Sequence, residues 1–261
     1  MTDAAAALTA SSSLGARRGG WRGRIGLALY IAAGRINWAE REIDGLAQVV
    51  RPGDTALDVG AALGMYSVPL GYLVGPTGRL DSFDPQPRNF HTVRFLRLLT
   101  GATKGRLRRI ALGPQPGTGE IVVPVLRGFP IFGHGHISRG EVDGARRMHR
   151  VRTDIDTIDD WVERENLARV SFIKIDVEGF EPSVVAGARR VIDRDRPSIL
   201  MEIEDRHLVR YGRDAAGFLA EIRERWPEYR MYTWVDGVWT ETAEVRPEVR
   251  NYLFTTQAIA A

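Results

Sequence analysis

The stretch KIDVEGFE (174–181) sets two carboxylates, Asp176 and Glu178, where the apolar run VSFIKID (170–176) meets a glycine, Gly179. With a two-residue period, Ile173, Ile175 and Val177 take one face of a strand and Lys174 and Asp176 the other. Asp176 then ends the strand and Glu178 opens the following loop. A third acid, Glu202, ends a neighbouring apolar run, SILMEIE (198–204). Carboxylates gathered at strand ends can remove a proton from a hydroxyl, an assistance typically worth about 100- to 10,000-fold. Asp176, Glu178 and Glu202 could also supply the oxygen-rich set that Mg2+ prefers. The plainer alternative is structural: Asp176 and Glu178 cap the next helix and hold Lys174 in an ion pair.

A second pattern is ALDVGAALGMY (56–66), where Asp58, Gly60 and Gly64 are spaced D-x-G-x-x-x-G after a short apolar run. So little side chain leaves the backbone open to a ligand. A dinucleotide loop requires G-x-G-x-x-G; here Ala62 and Met65 stand at the second and third glycine positions. Asp84, 24 residues beyond Gly60, ends the run RLDSFD (79–84). A carboxylate at that place accepts the hydroxyls of a ribose. Two carboxylates around a nucleoside, Asp58 and Asp84, disfavour a ligand with phosphates and suit one carrying a sulfonium and an amine. That points to S-adenosylmethionine. Two rival readings remain open. One is an NAD-dependent oxidoreductase, against which Ala62, Met65 and the lack of a Tyr-x-x-x-Lys pair argue. The other is a non-catalytic nucleoside-binding domain in which the acids of KIDVEG are only structural.

The successive motifs DVGAALGMYS, FDPQPRNF, DIDTIDDWV, FIKIDVEGFEPSVVAGA and PSILMEIE resemble, in order, those of the FkbM-type methyltransferase family, over roughly residues 54–205. KIDVEGFE is the most specific of them. The resemblance implies a class I S-adenosylmethionine-dependent methyltransferase, Rossmann-like, with a seven-stranded, mostly parallel sheet whose last strand is antiparallel. It implies methylation of a hydroxyl, on a sugar of a glycolipid, polysaccharide or secondary metabolite. It further implies that Asp58, Gly60, Ala61, Gly64 and Ser67 line the methionine side of the cofactor, Asp84 the ribose, and Ala111 and Leu112 the adenine.

The elements that would position these groups alternate along the chain. Strands are expected at 55–59, 79–84, 107–112, 120–125, 170–176 and 198–204, and a hairpin around Asp236-Gly237 precedes a final strand at 252–256. Helices are expected at 67–74, 89–99, 156–166 and 182–192. Pro69 delays the first of these to about Ser67. Pro124 assigns its strand to an edge or a bulge. Strands buried on both faces and separated by helices make an α/β domain with a mostly parallel sheet.

Around this domain, residues 1–14 read as a disordered tail and 15–53 as a helical extension, helical over 22–50 with Ile36, Ile43, Leu46 and Val50 inward. Residues 54–261 form the domain itself, and 127–153 a mobile loop on the acceptor side. That glycine-rich loop carries His134 and His136, with His136 a candidate acceptor contact beside Glu202; His91 and His207 read as structural.

With no cysteine, disulfides and thiolate metal sites are excluded. The net charge of +3 is modest, but residues 11–35 hold five arginines and no acid, and RRMHRVR (146–152) is a second basic cluster. Such clusters are solvated faces or attract an anionic substrate or membrane surface. Aromatics are not interleaved with them, which argues against nucleic acid. IGLALYIAA (25–33) is too short to span a bilayer. It reads as part of the amphipathic helix, or as a secretory signal with Ala32-Ala33 near a cleavage site. The expectation is a cytoplasmic enzyme with a small-molecule or glycan acceptor and peripheral membrane contact as an option; the oligomeric state is not encoded in any visible pattern.

Overall fold

The computed structural model describes residues 19–35, 39–101, 105–126, 129–130, 136–138 and 148–259. The tail 1–14, His134 and most of the loop 127–147 lie outside the described residues.

A central sheet is built from β1 (Thr55–Val59), β2 (Arg79–Phe83), β3 (Leu107–Arg108), β9 (Phe172–Ile175), β10 (Ser198–Glu202), β11 (Arg230–Val235), β12 (Val238–Glu241) and β13 (Asn251–Thr255). Their order is β12-β11-β13-β10-β9-β1-β2-β3, with parallel pairing from β3 to β10 and antiparallel pairing of β13 with β10 and β11. The Rossmann-like α/β expectation is met. The Asp236-Gly237 turn adds β12 as an eighth, edge strand beyond the seven.

The strands read as continuous apolar runs because both faces are covered. On one face Ala56, Phe172, Leu200 and Leu253 pack against a 3-10 helix (Arg41–Gln48) and the helix at Ser67–Val74. On the other, Leu57, Val59, Ile173 and Ile175 pack on helices at Ile158–Arg164, Glu181–Ala186, Arg189–Asp195 and Ala215–Arg225. In chain order the helices are α1 (Trp21–Arg35), α2 (Ser67–Val74), α3 (Pro87–Thr100), α4 (Ile158–Arg164), α5 (Glu181–Ala186), α6 (Arg189–Asp195), α7 (Asp205–Leu208) and α8 (Ala215–Arg225).

Several local expectations are corrected. The extension is not one helix: α1 ends at Arg35, and the Ala39 amide turns back to the Ala33 carbonyl, so Ile43 and Leu46 reach the core from the 3-10 segment and Val50 from the loop after it, while Ile36 lies outside the described residues. Residues 107–112 do not form one strand. They break at Arg109 and Ile110, and Ala111–Leu112 (β4) joins a second sheet. That sheet, in the order β4-β8-β5-β6, contains β5 (Gly117–Leu126), β6 (Phe129–Pro130) and β8 (Met148–Asp156), with β7 (His136–Ile137) paired to β5. Residues 148–153, expected as mobile loop, are therefore the start of a strand paired to β5 from Pro124↔Met148 to Gly117↔Ile155. Pro124 is not on an edge strand. It is the last residue of that ladder, where a missing donor disturbs the fewest bonds. The helix expected at 182–192 is cut at Gly187, where a Cβ would lie 2.0 Å from the Gly113 carbonyl oxygen.

Candidate active site

Strand register assembles the site. Val59 pairs with Phe83 on one side and Ile175 on the other, and Ile175 pairs with Met201. The residues immediately beyond, Gly60, Asp84, Asp176 and Glu202, therefore stand in one row along the carboxyl edge of the sheet, where ligands of such folds bind. They line a cavity of about 290 Å³.

The β1–β2 end of this cavity is made of backbone, amide and apolar side chains around one acid, Asp84. The Gly60 and Ala61 amides both donate to the Phe83 carbonyl, at 3.0 Å each. Gly60 has φ +84° and a Cβ there would sit 1.8 Å from the Asp176 carbonyl oxygen, so only glycine lets the two strand ends meet. Asp84 accepts from the Ala62 amide (2.8 Å), the Gln86 amide (2.8 Å) and Asn89 Nδ2 (3.1 Å). Burial nevertheless pushes its carboxyl up to about 7, the donors only moderating the rise. Beside it, Gln86 Oε1 and Asn89 Oδ1 are buried with no hydrogen-bond partner, and both residues line the cavity. Unpaired buried acceptors are costly, and a ligand bringing hydroxyl or amine donors would satisfy them. Ala111, Leu112, Ile110 and Phe180 supply apolar wall for a flat ring.

Four of the residues expected at the cofactor, Asp58, Ala61, Gly64 and Ser67, do not line the cavity. Asp58 and Ser67 sit behind the cavity wall. The Ser67 hydroxyl donates to Asp58, which burial raises to about 6, and Ser67 also bonds Ser82 (3.0 Å). This pair fixes the start of α2 beneath the loop. Gly64 has φ +84°, and its missing Cβ would point at Leu96 of α3, 3.0 Å away. Ala61 is buried and contributes through its backbone.

The β9–β10 end is charged. Asp176, Glu178 and Glu202 all line the cavity, as the sequence anticipated. Between two of them lies His207 of α7: its Nε2 is 3.2 Å from Glu178 Oε2 and its Nδ1 3.2 Å from Glu202 Oε2. Burial and the neighbouring Glu202 and Asp176 raise Glu178 to about 7 although His207 pulls it down. Burial alone would lower His207, but Glu202 and Glu178 raise it above its usual value. Glu178 adopts φ +58°, an uncommon conformation for a residue with a side chain and one that clusters at functional sites. The following Gly179 permits a turn so tight that a Cβ would lie 2.4 Å from the His207 carbonyl oxygen. Glu181 locks this loop by accepting from the Val177 (2.9 Å) and Gly179 (3.2 Å) amides.

Under the acids runs a buried network. Lys174 Nζ donates to Asn251 Oδ1 (2.9 Å) and lies 3.4 Å from Asp176 Oδ2 and 4.7 Å above the Tyr66 ring. Asn251 and the Tyr66 hydroxyl both donate to Glu40, which also lines the cavity and which burial raises to about 7. Burial would lower Lys174, but Asp176, Glu40 and Glu202 raise it, so the ammonium stays charged.

Gln86, Asn89, His207, Asn251 and Glu40 were not anticipated as site residues. Gln86 and Asn89 stand inside the FDPQPRNF motif, and His207 follows Glu202 by five residues, both usable signals. Glu40 and Asn251 come from opposite ends of the chain and leave none. His136 lies on β7 beside Ile137, which lines the cavity; nothing further is assigned to its side chain. The Mg2+ set is not the expected one: Glu178, Glu202 and His207 bring ligand atoms within 4.8 Å of one another, whereas Asp176 turns to Lys174. His207 already bridges both carboxylates, and nothing further supports a metal.

Comparison with known proteins agrees with this geometry. Residues 58–254 match the methyltransferase FkbM domain. The 31-O-demethyl-FK506 methyltransferase FkbM of Streptomyces tacrolimicus is 25% identical over 66% of this chain and 70% of its own length. The 2-O-methyltransferase NoeI of Sinorhizobium fredii is 28% identical over 51% of this chain and 56% of its own. The crystal structure of methyltransferase FkbM from Methylobacillus flagellatus superposes with a TM-score of 0.50 at 18% identity, covering 95% of this chain and 58% of that one, a likeness of fold. With a family match over most of its length, the chain belongs to the FkbM methyltransferase domain family.

Proposed function

We propose that this chain is an S-adenosylmethionine-dependent O-methyltransferase acting on a hydroxyl, that of a sugar in a glycolipid, polysaccharide or secondary metabolite. The observation that carries the reading is the pair of unsatisfied buried acceptors, Gln86 Oε1 and Asn89 Oδ1, beside Asp84 at one end of a cavity whose other end holds three acids. Ribose hydroxyls and an adenine amine are donors of the kind those oxygens lack, and the apolar wall of Ala111, Leu112 and Phe180 suits the adenine ring. No phosphate would be welcome beside Asp84, Asp176 and Glu202, which disfavours NAD. Oxygen as the acceptor atom is supported by the 31-O and 2-O specificities in the relatives' names.

Bound S-adenosylmethionine supplies an electrophilic methyl group on a sulfonium. The residues of this chain must then align the acceptor oxygen with that methyl and take its proton. Glu178 is the proposed base. Its Oε2 lies 3.2 Å from His207 Nε2, and Glu202 orients that ring through the other nitrogen, so the carboxyl is held at the cavity wall where an acceptor hydroxyl would lie. With the Glu178 carboxyl at about 7, the base is formed only as pH rises through neutrality. Asp176, 3.4 Å from the Lys174 ammonium, lines the cavity beside it and can accept a hydrogen bond from the acceptor. Glu202 thus acts through His207, a refinement of its expected role as an acceptor contact. The test is S-adenosylhomocysteine release from the purified chain with a panel of sugar and polyketide alcohols: release requiring a hydroxyl acceptor is expected, and release to amine acceptors alone would overturn the O-methyl assignment.

A further inference from the structure

The N-terminal helix is packed inside out. Helix α1 rests on α2 and α3 through its glycines: a Cβ on Gly26 would lie 2.7 Å from Val68 Cγ1, and one on Gly23 3.3 Å from Tyr72 and 3.4 Å from the Thr100 carbonyl oxygen. Its large apolar residues, Trp21, Ile25 and Leu29, recur every fourth position and so share the opposite stripe. Trp21 is 69% exposed and Leu29 65%. Helix α3 repeats the inversion. Phe95, Leu98 and Leu99 are each more than half exposed, while Arg97 is buried and donates to the Leu80 and Arg106 carbonyls. An open groove between the helices, lined by Trp21, Ile25, Leu29, Leu96 and Leu99, joins the two stripes into one face. Exposed contiguous apolar surface of this kind marks an interaction site.

The charge carried by the two helices is of one sign. No acid occurs from residue 4 to 39 or from 85 to 105, the two segments that contain α1 and α3. Arg22, Arg24, Arg35 and Arg94 are all exposed, and the Arg22 guanidinium lies 5.4 Å over the Trp21 ring. A second copy of this chain docking symmetrically would bring like charges together, with no acid from either segment between them. An anionic bilayer surface supplies both counter-charge for the arginines and an apolar layer for the stripe, with tryptophan at its favoured depth. No helix among the described residues is long and apolar enough to cross a membrane, so the helix would lie in the surface.

We infer that the face formed by Trp21, Ile25 and Leu29 of α1 with Phe95, Leu98 and Leu99 of α3 docks this protein on anionic lipid bilayers. The test is co-sedimentation of the full chain with vesicles of equal parts phosphatidylcholine and phosphatidylglycerol, against vesicles of phosphatidylcholine alone. Partitioning should be at least about tenfold stronger on the anionic vesicles and weaken with added salt, as charge attraction requires. The triple variant Trp21→Ser/Ile25→Ser/Leu29→Ser should lose about tenfold or more in partitioning at unchanged melting temperature, since these side chains are exposed. Arg22→Gln/Arg24→Gln should lose most of the preference for anionic lipid, and it reads the proposal independently if the triple variant misfolds. Failure of the wild type to bind anionic vesicles, or binding that survives both sets of substitutions, would overturn the proposal. So would a dimer in sedimentation velocity that the triple variant dissolves without any vesicle binding in the wild type.

Discussion

The two ends of the cavity are built on opposite principles. At the β1–β2 end, recognition rests on backbone geometry and amide groups around a single acid: the Gly60 turn, the Asp84 carboxyl held by three donors, and two amide oxygens awaiting donors. At the β9–β10 end it rests on charge: four carboxylates, counting Glu40, a histidine bridging two of them and one buried lysine. The difference separates binding from chemistry. At the first end most contacts come from backbone and amide groups that do not titrate, with Asp84 the one group there that does. A charged end with raised carboxyl groups can change protonation during a reaction.

That division can be broken deliberately. The largest effect should come from Glu178→Gln, which keeps shape but cannot accept a proton. Turnover should fall about 100- to 10,000-fold while cofactor affinity by calorimetry stays within about twofold. In the wild type the rate should rise as pH passes about 7, and Glu202→Gln should move that inflection through His207. A rate profile unaffected by either substitution would show that the acid end does not handle the proton.

Next in size is Lys174→Met. Removing one partner of a buried ionic cluster costs about 3–5 kcal/mol, read by urea unfolding near pH 8. The loss should shrink near pH 5.5, where Glu40, at about 7, holds a proton and needs no counter-ion. Equal losses at both pH values would argue against the cluster.

At the β1–β2 end, Asn89→Ala should weaken S-adenosylmethionine binding by one charge-assisted or ordinary hydrogen bond and loosen Asp84. A change of about 1–3 kcal/mol is expected, with the residual turnover at saturating cofactor near normal. A fall in turnover alone, at unchanged affinity, would put Asn89 on the wrong side of the comparison.

The smallest effect is a slope. Asp58 (about 6), Asp84 (about 7) and Glu181 (about 8) hold their protons more tightly folded than unfolded, since free carboxyls titrate near 4. Their contribution to stability is complete below about 4 and is lost as pH rises through about 6–8. The melting temperature of the ligand-free chain should therefore fall between about pH 5 and 8, and Glu181→Gln should flatten the fall. A melting temperature that rises over this range would contradict the assigned burial effects.

What the sequence disclosed follows the same division. Strand and loop order was legible because burial on both faces writes continuous apolar runs, and because Gly60 and Asp84 sit at fixed distances from their strand ends. Asp176, Glu178 and Glu202 were legible as acids ending apolar runs. The partners that tune them were not. His207 reaches Glu178 through a helical turn after β10, Asn251 through antiparallel pairing opposite Glu202, and Glu40 from before β1. Such contacts depend on tertiary register rather than spacing. That Asp58 and Gly64 do not line the cavity was not legible for a related reason: a loop pattern states which backbone turns are possible but not which side of the turn faces the cavity. The fate of 107–112 and 148–153 turned on a second sheet whose strands pair across long stretches of chain, as Ala111 with Ile155 and Pro124 with Met148.

The central claim is that the cavity holds S-adenosylmethionine with its nucleoside on Asp84, Gln86 and Asn89. It is tested most directly by calorimetric titration of the purified chain and of Asp84→Ala with S-adenosylhomocysteine and, separately, with NADH. One-to-one binding of S-adenosylhomocysteine to the wild type is expected, weakened in Asp84→Ala by about 1.5–3 kcal/mol, with no heat from NADH. Binding of NADH in place of S-adenosylhomocysteine, or an S-adenosylhomocysteine affinity untouched by Asp84→Ala, would contradict it.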